Sequence, residues 1–240
     1  VERAVLLQGG FLGFQNLYSW QAQEKYPHRF LAAGAYDPYS RSRDKIVQHL
    51  FEDLALRVVK FEVSTGSGLM ANHPVFSLDG EMMERELTFA EQHRLVVVID
   101  IGKLGSPSSQ IDALRRAVLR HPGVKFVVCH LLAPKQSELS LMAAGLDALH
   151  LPNVWFDLAS LQHNVRPDEA PYPVTRAFIH KAIEIVGAER LLFGTDLPSN
   201  LCKFRYADMV NTIAEDAVLA LEQRQRILYN NALDVFWDGK

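Results

Sequence analysis

Three ionisable side chains stand directly after short apolar segments of the sequence. Val-Val-Val-Ile precedes Asp100, Phe-Val-Val-Cys precedes His130, and Leu-Leu-Phe-Gly-Thr precedes Asp196. An imidazole at such a place could bind a metal ion or act as a general acid or base, and a carboxylate could bind the ion or take a proton from water. The structural alternatives are a hydrogen-bonded core histidine and aspartates that cap helices or turns. The shared placement of the three residues favours a chemical role.

Four further polar residues are predicted to bind substrate: Lys60, Glu62, Asp157 and His73. Asp157 follows the apolar residues Val-Trp-Phe, and its alternative role is to support a neighbouring catalytic group. Lys60 and Glu62 could instead pair with each other, and a carbamylated Lys60 that bridges two metal ions is a further alternative. His73 lies in a polar loop, 64–78, that could overhang the site.

Short apolar segments alternate with amphipathic stretches along the whole chain. The apolar segments recur roughly every 31 residues, about the length of one strand–helix unit, and their composition is typical of buried parallel strands. The predicted strands are Ala4–Gln8, Phe30–Tyr36, Arg57–Val63, Leu95–Ile101, Lys125–Leu131, Asn153–Leu158 and Arg190–Gly194. Helical periodicity predicts helices over Asp44–Leu56, Glu81–His93, Ser109–Arg120, Thr175–Val186, Ala217–Leu228 and a short one over Asn230–Phe236.

The polar residues fall at one end of the predicted strands. Because side chains alternate between the two faces of a strand, counting by twos assigns each polar residue to a face. The sets are Val58, Lys60 and Glu62; Val96, Val98 and Asp100; Phe126, Val128 and His130; Trp155 and Asp157; and Leu192, Gly194 and Asp196. This count puts Cys129 on the opposite face from His130, under the helices. A closed barrel gathers five such strand ends into one ring, whereas a doubly wound sheet gathers only those near its switch point.

The sequence therefore predicts an α/β fold, a (β/α)₈ TIM barrel in a single domain over residues 1–240. Only seven strands are found, and the sequence starts with Val1 and has no initiator methionine. We expect the first strand and helix of the barrel to lie before Val1.

Composition narrows the classes of partner. The net charge is −3 with both signs mixed along the chain, which argues against nucleic acid as a partner. No apolar run reaches the roughly 18 residues that a membrane span needs. Two cysteines do not make a disulfide framework, so a reducing compartment, the cytoplasm, is expected. The partner that remains is a small-molecule substrate.

Several segments carry a family resemblance that covers nearly the whole chain. They are Lys-Tyr-Pro-His-Arg-Phe at 25–30, Asp37-Pro38, the run 125–130 that ends in Cys-His, Gly-Thr-Asp-Leu-Pro at 194–198, and Asn230-Asn231-Ala232. With these motifs the chain resembles the metal-dependent amidohydrolase superfamily. The branch it resembles is the amidohydrolase-2 group of predicted hydrolases and aminocarboxymuconate-semialdehyde decarboxylases.

The resemblance implies one divalent metal ion, often zinc. In the family a His-x-His pair, a fifth-strand histidine and a last-strand aspartate hold the ion, and a sixth-strand histidine handles protons. By position Asp196 matches the aspartate and His130 the sixth-strand histidine, while Asp100 stands at the fifth-strand position. A carboxylate there favours Mn²⁺ or Mg²⁺ over zinc. No His-x-His occurs in this sequence, and we expect it upstream of Val1.

These observations predict Asp196 and His130 as catalytic residues and Asp196, His130 and Asp100 as metal ligands. The predicted function is metal-dependent hydrolysis, or a related decarboxylation by a lyase, of a small carboxylated or carbonyl substrate. The alternatives are a metal-free hydrolase of the lactonase type and a degenerate barrel that binds a ligand without chemistry. The resemblance also implies a homodimer, whereas the substrate is set by loops, mainly 64–78 and 162–174, and does not follow from the sequence.

Overall fold

The structure, a computed structural model, describes residues 1–10 and 13–237. Residues 11, 12 and 238–240, which belong to the predicted domain 1–240, lie outside the described residues. The predicted alternation of strands and helices is confirmed. Each strand is two or three residues shorter than predicted.

Seven strands form one parallel sheet in the described part of the chain. The strands are β1 (Ala4–Leu6), β2 (Phe30–Gly34), β3 (Val58–Glu62), β4 (Val96–Asp100), β5 (Lys125–Val128), β6 (Val154–Asp157) and β7 (Leu191–Leu192). They pair in sequential order from β1 to β7, every pair parallel. This order brings the carboxyl ends of consecutive strands together, and the register places Glu62 opposite Asp100.

Helices follow nearly every strand. They are α1 (Asn16–Lys25), α2 (Arg43–Val47), α3 (Leu69–Asn72), α4 (Glu81–Gln92), α5 (Ile111–Arg120), α6 (Leu139–Ala148), α7 (Leu161–Asn164), α8 (Pro173–Val186), α9 (Tyr206–Ala214), α10 (Leu221–Gln225) and α11 (Asn231–Phe236). α2 continues as a π-helical segment to Asp53, and α10 continues as another to Asn230. Within residues 1–10 and 13–237, none of these helices combines the length and apolarity that a membrane crossing requires.

Two apolar clusters lie on the two faces of the sheet. One joins the sheet to the helices and contains Val59, Phe61, Val97 and Ile99. The other consists almost entirely of strand residues from β2 to β7: Leu31, Ala33, Val58, Val96, Val98, Val127, Cys129 and Leu192, closed by Val235. Because residues of β2 and β7 share this second cluster, the sheet curls around it. This inner face is the one that carries Lys60, Glu62 and Asp100.

The prediction for the faces of β5 is wrong. Phe126 and Val128 pack in the cluster under the helices, whereas Cys129, expected there, packs on the inner face. The prediction assumed that the strand, with its side chains alternating between faces, continues to His130. The strand ends at Val128, and the backbone then turns. His130 therefore reaches the inner side by a route other than strand alternation.

A buried carboxylate ties the end of β2 to the helices. Glu86 of α4 is 1% exposed and accepts hydrogen bonds from Tyr36 Oη at 2.5 Å and from Arg43 Nη2 at 2.6 Å, with Arg85 Nη2 at 2.7 Å. Burial and the neighbouring Glu86 charge raise the pKa of Tyr36, so its hydroxyl stays a donor. This network holds the chain segment that leads to Asp37.

Replacing Glu86 removes a fully paired buried charge and leaves its partners unsatisfied. We predict that Glu86→Ala lowers the free energy of unfolding by roughly 3–5 kcal/mol, as measured by urea denaturation. The matched control Glu81→Ala, on the exposed face of the same helix, changes it by less than about 0.5 kcal/mol. Equal effects of the two substitutions would contradict this role for Glu86.

Candidate active site

A left-handed turn after β5 delivers His130 to the site. Four consecutive residues have positive φ: His130 (62°), Leu131 (49°), Leu132 (68°) and Ala133 (49°). Each such residue with a side chain costs free energy, so the turn persists only because its surroundings hold it. Leu131 and Leu132 are fully buried, and the His130 amide donates to Asp157 Oδ1 at 2.9 Å. Backbone strain concentrated at one point is typical of functional sites.

The imidazole of His130 is fixed at both nitrogens. Nδ1 lies 3.0 Å from the carbonyl oxygen of Ala159, which makes Nδ1 a donor, and Nε2 lies 3.3 Å from Asp100 Oδ2. The other Asp100 oxygen accepts the Gly102 amide at 2.8 Å. The two side chains retain 15% and 14% of their exposure, so they form a partly buried pair that faces the mouth of the sheet.

The pair is charged at neutral pH. Burial alone would lower the pKa of His130, but the hydrogen bond to Asp100 and the charges of Asp157, Asp100 and Asp196 raise it to about 9. Burial likewise opposes the Asp100 carboxylate, yet the hydrogen bond and charge of His130, followed by Lys60 and the Gly102 amide, lower its pKa to about 2. His130 is thus an imidazolium that can donate a proton, and Asp100 is its counter-ion.

Asp157 holds the turn after β5 in place. Asp157 Oδ1 accepts hydrogen bonds from the His130 amide and, at 3.0 Å, from the Ala159 amide. Ala159 is also the residue whose carbonyl oxygen holds the His130 ring. Asp157 also faces Cys129. Burial, followed by the Asp157 charge, raises the pKa of the Cys129 thiol, so Cys129 remains a neutral thiol and not a nucleophile.

Lys60 and Glu62 line a cavity of about 260 Å³ at the carboxyl ends of β1 to β3. Glu62 accepts hydrogen bonds from the Gly10 amide at 2.5 Å and from Ser67 Oγ at 2.6 Å. Gly10 lies against the Ser67 carbonyl, where a Cβ atom would clash, so only glycine brings this amide so close. Glu62 is thus satisfied by the loops after β1 and β3, and among the described residues it does not form an ion pair with Lys60.

Lys60 is 9% exposed. Among residues 1–10 and 13–237 no hydrogen bond or ion pair to its ammonium group is found. Burial alone would lower the pKa of Lys60, but its neighbours, Cys129 first and then Asp100, Glu62 and Asp157, raise it. A lysine that acts as a nucleophile needs a lowered pKa, so Lys60 is suited to bind an anion instead.

His73 lies beside the same cavity and is held by Asp37. Its Nε2 is 3.0 Å from Asp37 Oδ2, and its ring stacks on Tyr39 with centroids 4.0 Å apart. Asp37 lines the cavity together with Asn72, the residue before His73. The loop 64–78 therefore overhangs the mouth, and His73 fixes one wall of the cavity through Asp37.

Asp196 stands at the exposed rim in a left-handed conformation, φ 52°. Its Oδ2 accepts the hydroxyl of Ser160 at 2.5 Å, and Asn200 in turn donates to Ser160 Oγ at 2.9 Å. Asp196 is near enough to raise the pKa of His130, yet it does not join His130 and Asp100 in a ligand cluster. Within the described residues, no three His, Cys, Asp or Glu side chains converge as a metal site. Only two of the three predicted ligands meet.

Comparison with known proteins gives the fold and family. A sequence model described as amidohydrolase matches residues 1–236. The chain belongs to the amidohydrolase family. No match was found among curated proteins.

Solved structures of distant relatives share the fold. A protein of Acinetobacter baumannii, inferred to be a 2-pyrone-4,6-dicarboxylic acid hydrolase and crystallised with citric acid, has a TM-score of 0.78 at 15% identity, covering 98% of this chain and 84% of its own. A zinc-containing amidohydrolase of Burkholderia multivorans has a TM-score of 0.76 at 17% identity (97% and 81% covered). A 5-carboxyvanillate decarboxylase of Novosphingobium aromaticivorans, a D314N variant with manganese and 3-methoxy-4-hydroxy-5-nitrobenzoic acid, has a TM-score of 0.68 at 14% identity (99% and 77% covered). The predicted barrel fold and family are confirmed.

Sequence reasoning missed two groups that hold this amidohydrolase site together. Ser160 binds Asp196, and the Ala159 carbonyl oxygen orients His130. Ala159 and Ser160 lie two and three residues after Asp157, in the loop that follows β6. A serine hydroxyl and a backbone carbonyl carry no chemical signal of their own, which is why neither was singled out.

The charged pair makes this amidohydrolase's stability depend on pH. Asp100→Asn leaves His130 without its counter-ion, and we predict a loss of roughly 3 kcal/mol in the free energy of unfolding. Since the pKa of His130 is raised, its contribution is complete below its ordinary value of 6.5 and disappears as pH rises through about 9. Since the pKa of Asp100 is lowered, its contribution is complete above 3.8 and disappears as pH falls through about 2.

The difference between wild type and Asp100→Asn should therefore be largest between about pH 4 and 6.5 and should shrink towards pH 9 and above. Urea denaturation across this range measures it. A difference that does not change with pH would contradict the ion pair.

Proposed function

We propose that this chain hydrolyses a small carboxylated substrate with an ester, lactone or amide bond at the mouth of the barrel, with His130 as the proton donor. The observation that supports this most is the His130–Asp100 pair, with His130 Nε2 3.3 Å from Asp100 Oδ2 and the ring fixed by the Ala159 carbonyl oxygen. A fixed imidazolium can donate to the oxygen on which negative charge develops when water attacks a carbonyl group.

Asp196 is the proposed base. It is an exposed carboxylate held by Ser160, near enough to His130 to raise its pKa, and it could orient the attacking water and take its proton. His130 then passes its Nε2 proton, which faces Asp100 in the free site, to the leaving oxygen or nitrogen, and the Ala159 carbonyl oxygen keeps the ring in place.

Lys60 is the proposed partner of the substrate's carboxylate. Its ammonium group is buried in the wall of the cavity and stays charged, and a bound carboxylate would supply the partner that Lys60 does not have among the described residues. Glu62, Asp157 and His73 are proposed to shape this site through their own hydrogen bonds. A homodimer, which the family resemblance implies, and a cytoplasmic location, expected because two cysteines do not make a disulfide framework, are part of the same proposal.

Decarboxylation is the second candidate. Loss of carbon dioxide leaves a carbanion that must be protonated, and an imidazolium that keeps its proton at neutral pH can protonate it. The 5-carboxyvanillate decarboxylase that shares the fold motivates this reading.

The predicted divalent ion, held by Asp196, His130 and Asp100, is a separate proposal. His130 Nε2 and Asp100 Oδ2 fit it as a pair of donors, since the His130 ring is oriented by a backbone carbonyl as in many metal sites. Asp196 does not join them, so the described residues fit a metal ion only in part. An ion on Nε2 and a proton on Nε2 exclude each other. Zinc, manganese and magnesium are the candidate ions.

The proposed roles predict the effect of substitution on rate. On a carboxylated ester or lactone found by screening, His130→Gln should lower kcat/KM by roughly 10²–10⁴-fold. In the wild type kcat/KM should fall as pH rises above about 9, where His130 loses its proton, and in Asp100→Asn this fall should begin at lower pH. His28→Gln, an exposed histidine before β2 at the opposite end of the sheet, is the control and should keep full activity. Full turnover by His130→Gln would rule out the proposal.

Metal binding distinguishes a proton on His130 Nε2 from a metal ion on the same atom. If the ion binds His130, the affinity of the protein for zinc or manganese should rise about tenfold per pH unit up to about pH 9, because each ion displaces one proton. His130→Gln should weaken this binding. Metal analysis of protein purified without chelator, and activity after dialysis against a strong chelator, are the measurements. Unchanged activity without bound metal would show the metal prediction to be wrong and leave the proton-transfer scheme standing.

A further inference from the structure

Four basic side chains gather at the rim of the site. We call them the rim cation cluster: Lys103, His163, Arg166 and Lys203. They come from three loops, after β4, around α7 and after β7. Lys203 Nζ lies 3.0 Å from His163 Nδ1, and Arg166 Nη2 lies 3.4 Å from His163 Nε2. Loops that are distant in sequence thus bring like charges around one imidazole.

This cluster contains more hydrogen-bond donors than acceptors. A neutral imidazole has one acceptor nitrogen, and the other nitrogen carries a hydrogen. Lys203 and Arg166 are donors only. Arg166 Nη2 faces Nε2 of His163, and Lys203 Nζ lies 3.0 Å from Nδ1 and 3.5 Å from Nε2. One acceptor nitrogen cannot satisfy both cations, so donor groups of both remain without an acceptor at the ring.

No carboxylate pairs with these cations in the described part of the chain. Lys103, Arg166 and Lys203 form no salt bridge there, and the only other bond of Arg166 is from Nε to the His163 carbonyl oxygen at 2.9 Å. Burial and then the charges of Arg166, Lys203 and Lys103 lower the pKa of His163, and the charge of Asp196 opposes them. The cluster is therefore a site of net positive charge beside Asp196.

The position of the cluster connects it to the proposed reaction. His163 lines a small cavity together with Ser160 and Asn200, the residues that hold Asp196. An anion at the cluster would lie next to the proposed base and apart from Lys60, which lines the other cavity. The mouth thus presents cationic groups at two separate places.

We propose that the rim cation cluster binds a carboxylate group of the substrate, in addition to the one bound by Lys60. This rests on the proposed function, and it makes the substrate a compound with at least two carboxylates. A carboxylate carries a single charge that Lys203 and Arg166 can satisfy with charged hydrogen bonds. A phosphate would be attracted by the same cations, and it is the proposed function, which takes a carboxylated substrate, that favours a carboxylate here.

Binding of citrate to the intact protein tests the cluster directly. The C2 proton signal of His163, assigned by its loss in His163→Gln, is followed by NMR at pH 7 while citrate is added. Sodium chloride at matched ionic strength is the reference. We expect a saturable shift with citrate and none of that form with chloride.

Two variants locate the binding. Arg166→Gln/Lys203→Gln should weaken citrate binding at least about tenfold, as expected for the loss of charged hydrogen bonds. Lys45→Gln, an exposed lysine on α2, should leave it unchanged. Because the assay measures binding and keeps His130 and Asp100 intact, it gives its answer whether or not the proposed reaction takes place.

Three results would overturn the proposal. The first is a shift of the His163 C2 proton signal that is the same with citrate as with chloride, which would show that the shift reflects ionic strength and not citrate binding. The second is unchanged citrate affinity in the double variant, which must be measured on protein whose urea unfolding matches wild type. The third is inorganic phosphate binding more tightly than citrate, which would point to a phosphorylated ligand.

Discussion

The ion pair between His130 and Asp100 is the interaction on which the rest of the site depends. Each side chain is largely buried, and each would be unstable in its charged form without the other. The pair also sets the chemistry, because the Asp100 carboxylate keeps a proton on His130 far above the pH at which a free imidazole loses it. The same contact thus stabilises the fold and prepares a proton donor.

The sheet supplies the geometry for this pair. Sequential parallel pairing aligns the ends of β3 to β6, so Glu62, Asp100 and Asp157 lie along one edge. Their negative charges would repel one another if each lacked a partner. Glu62 is held by Gly10 and Ser67, Asp157 by two backbone amides, and Asp100 by His130 and Gly102. Lys60 lies among these groups as a buried cation, and it balances them while it remains free to take an anionic ligand.

The sequence predicted the fold and most of the inner face. Where a buried strand ends in an acidic residue, counting back by twos from that residue identifies the side chains that share its face. Asp100, Lys60 and Glu62 lie where that alternation put them. His130 lies on the predicted inner side, but strand alternation does not put it there: a left-handed turn, which no periodicity predicts, carries it to that side. The rim cation cluster could not be predicted at all, because Lys103, Arg166 and Lys203 belong to loops whose relative positions depend on the whole fold.

An NMR titration of the His130 C2 proton shows whether the imidazole keeps the proton that the proposed chemistry needs. We expect a pKa of about 9 for His130 in the wild type and a clearly lower value in Asp100→Asn, with the exposed His28 as an internal reference. A pKa at or below 6.5 in the wild type, or one that Asp100→Asn leaves unchanged, would contradict it.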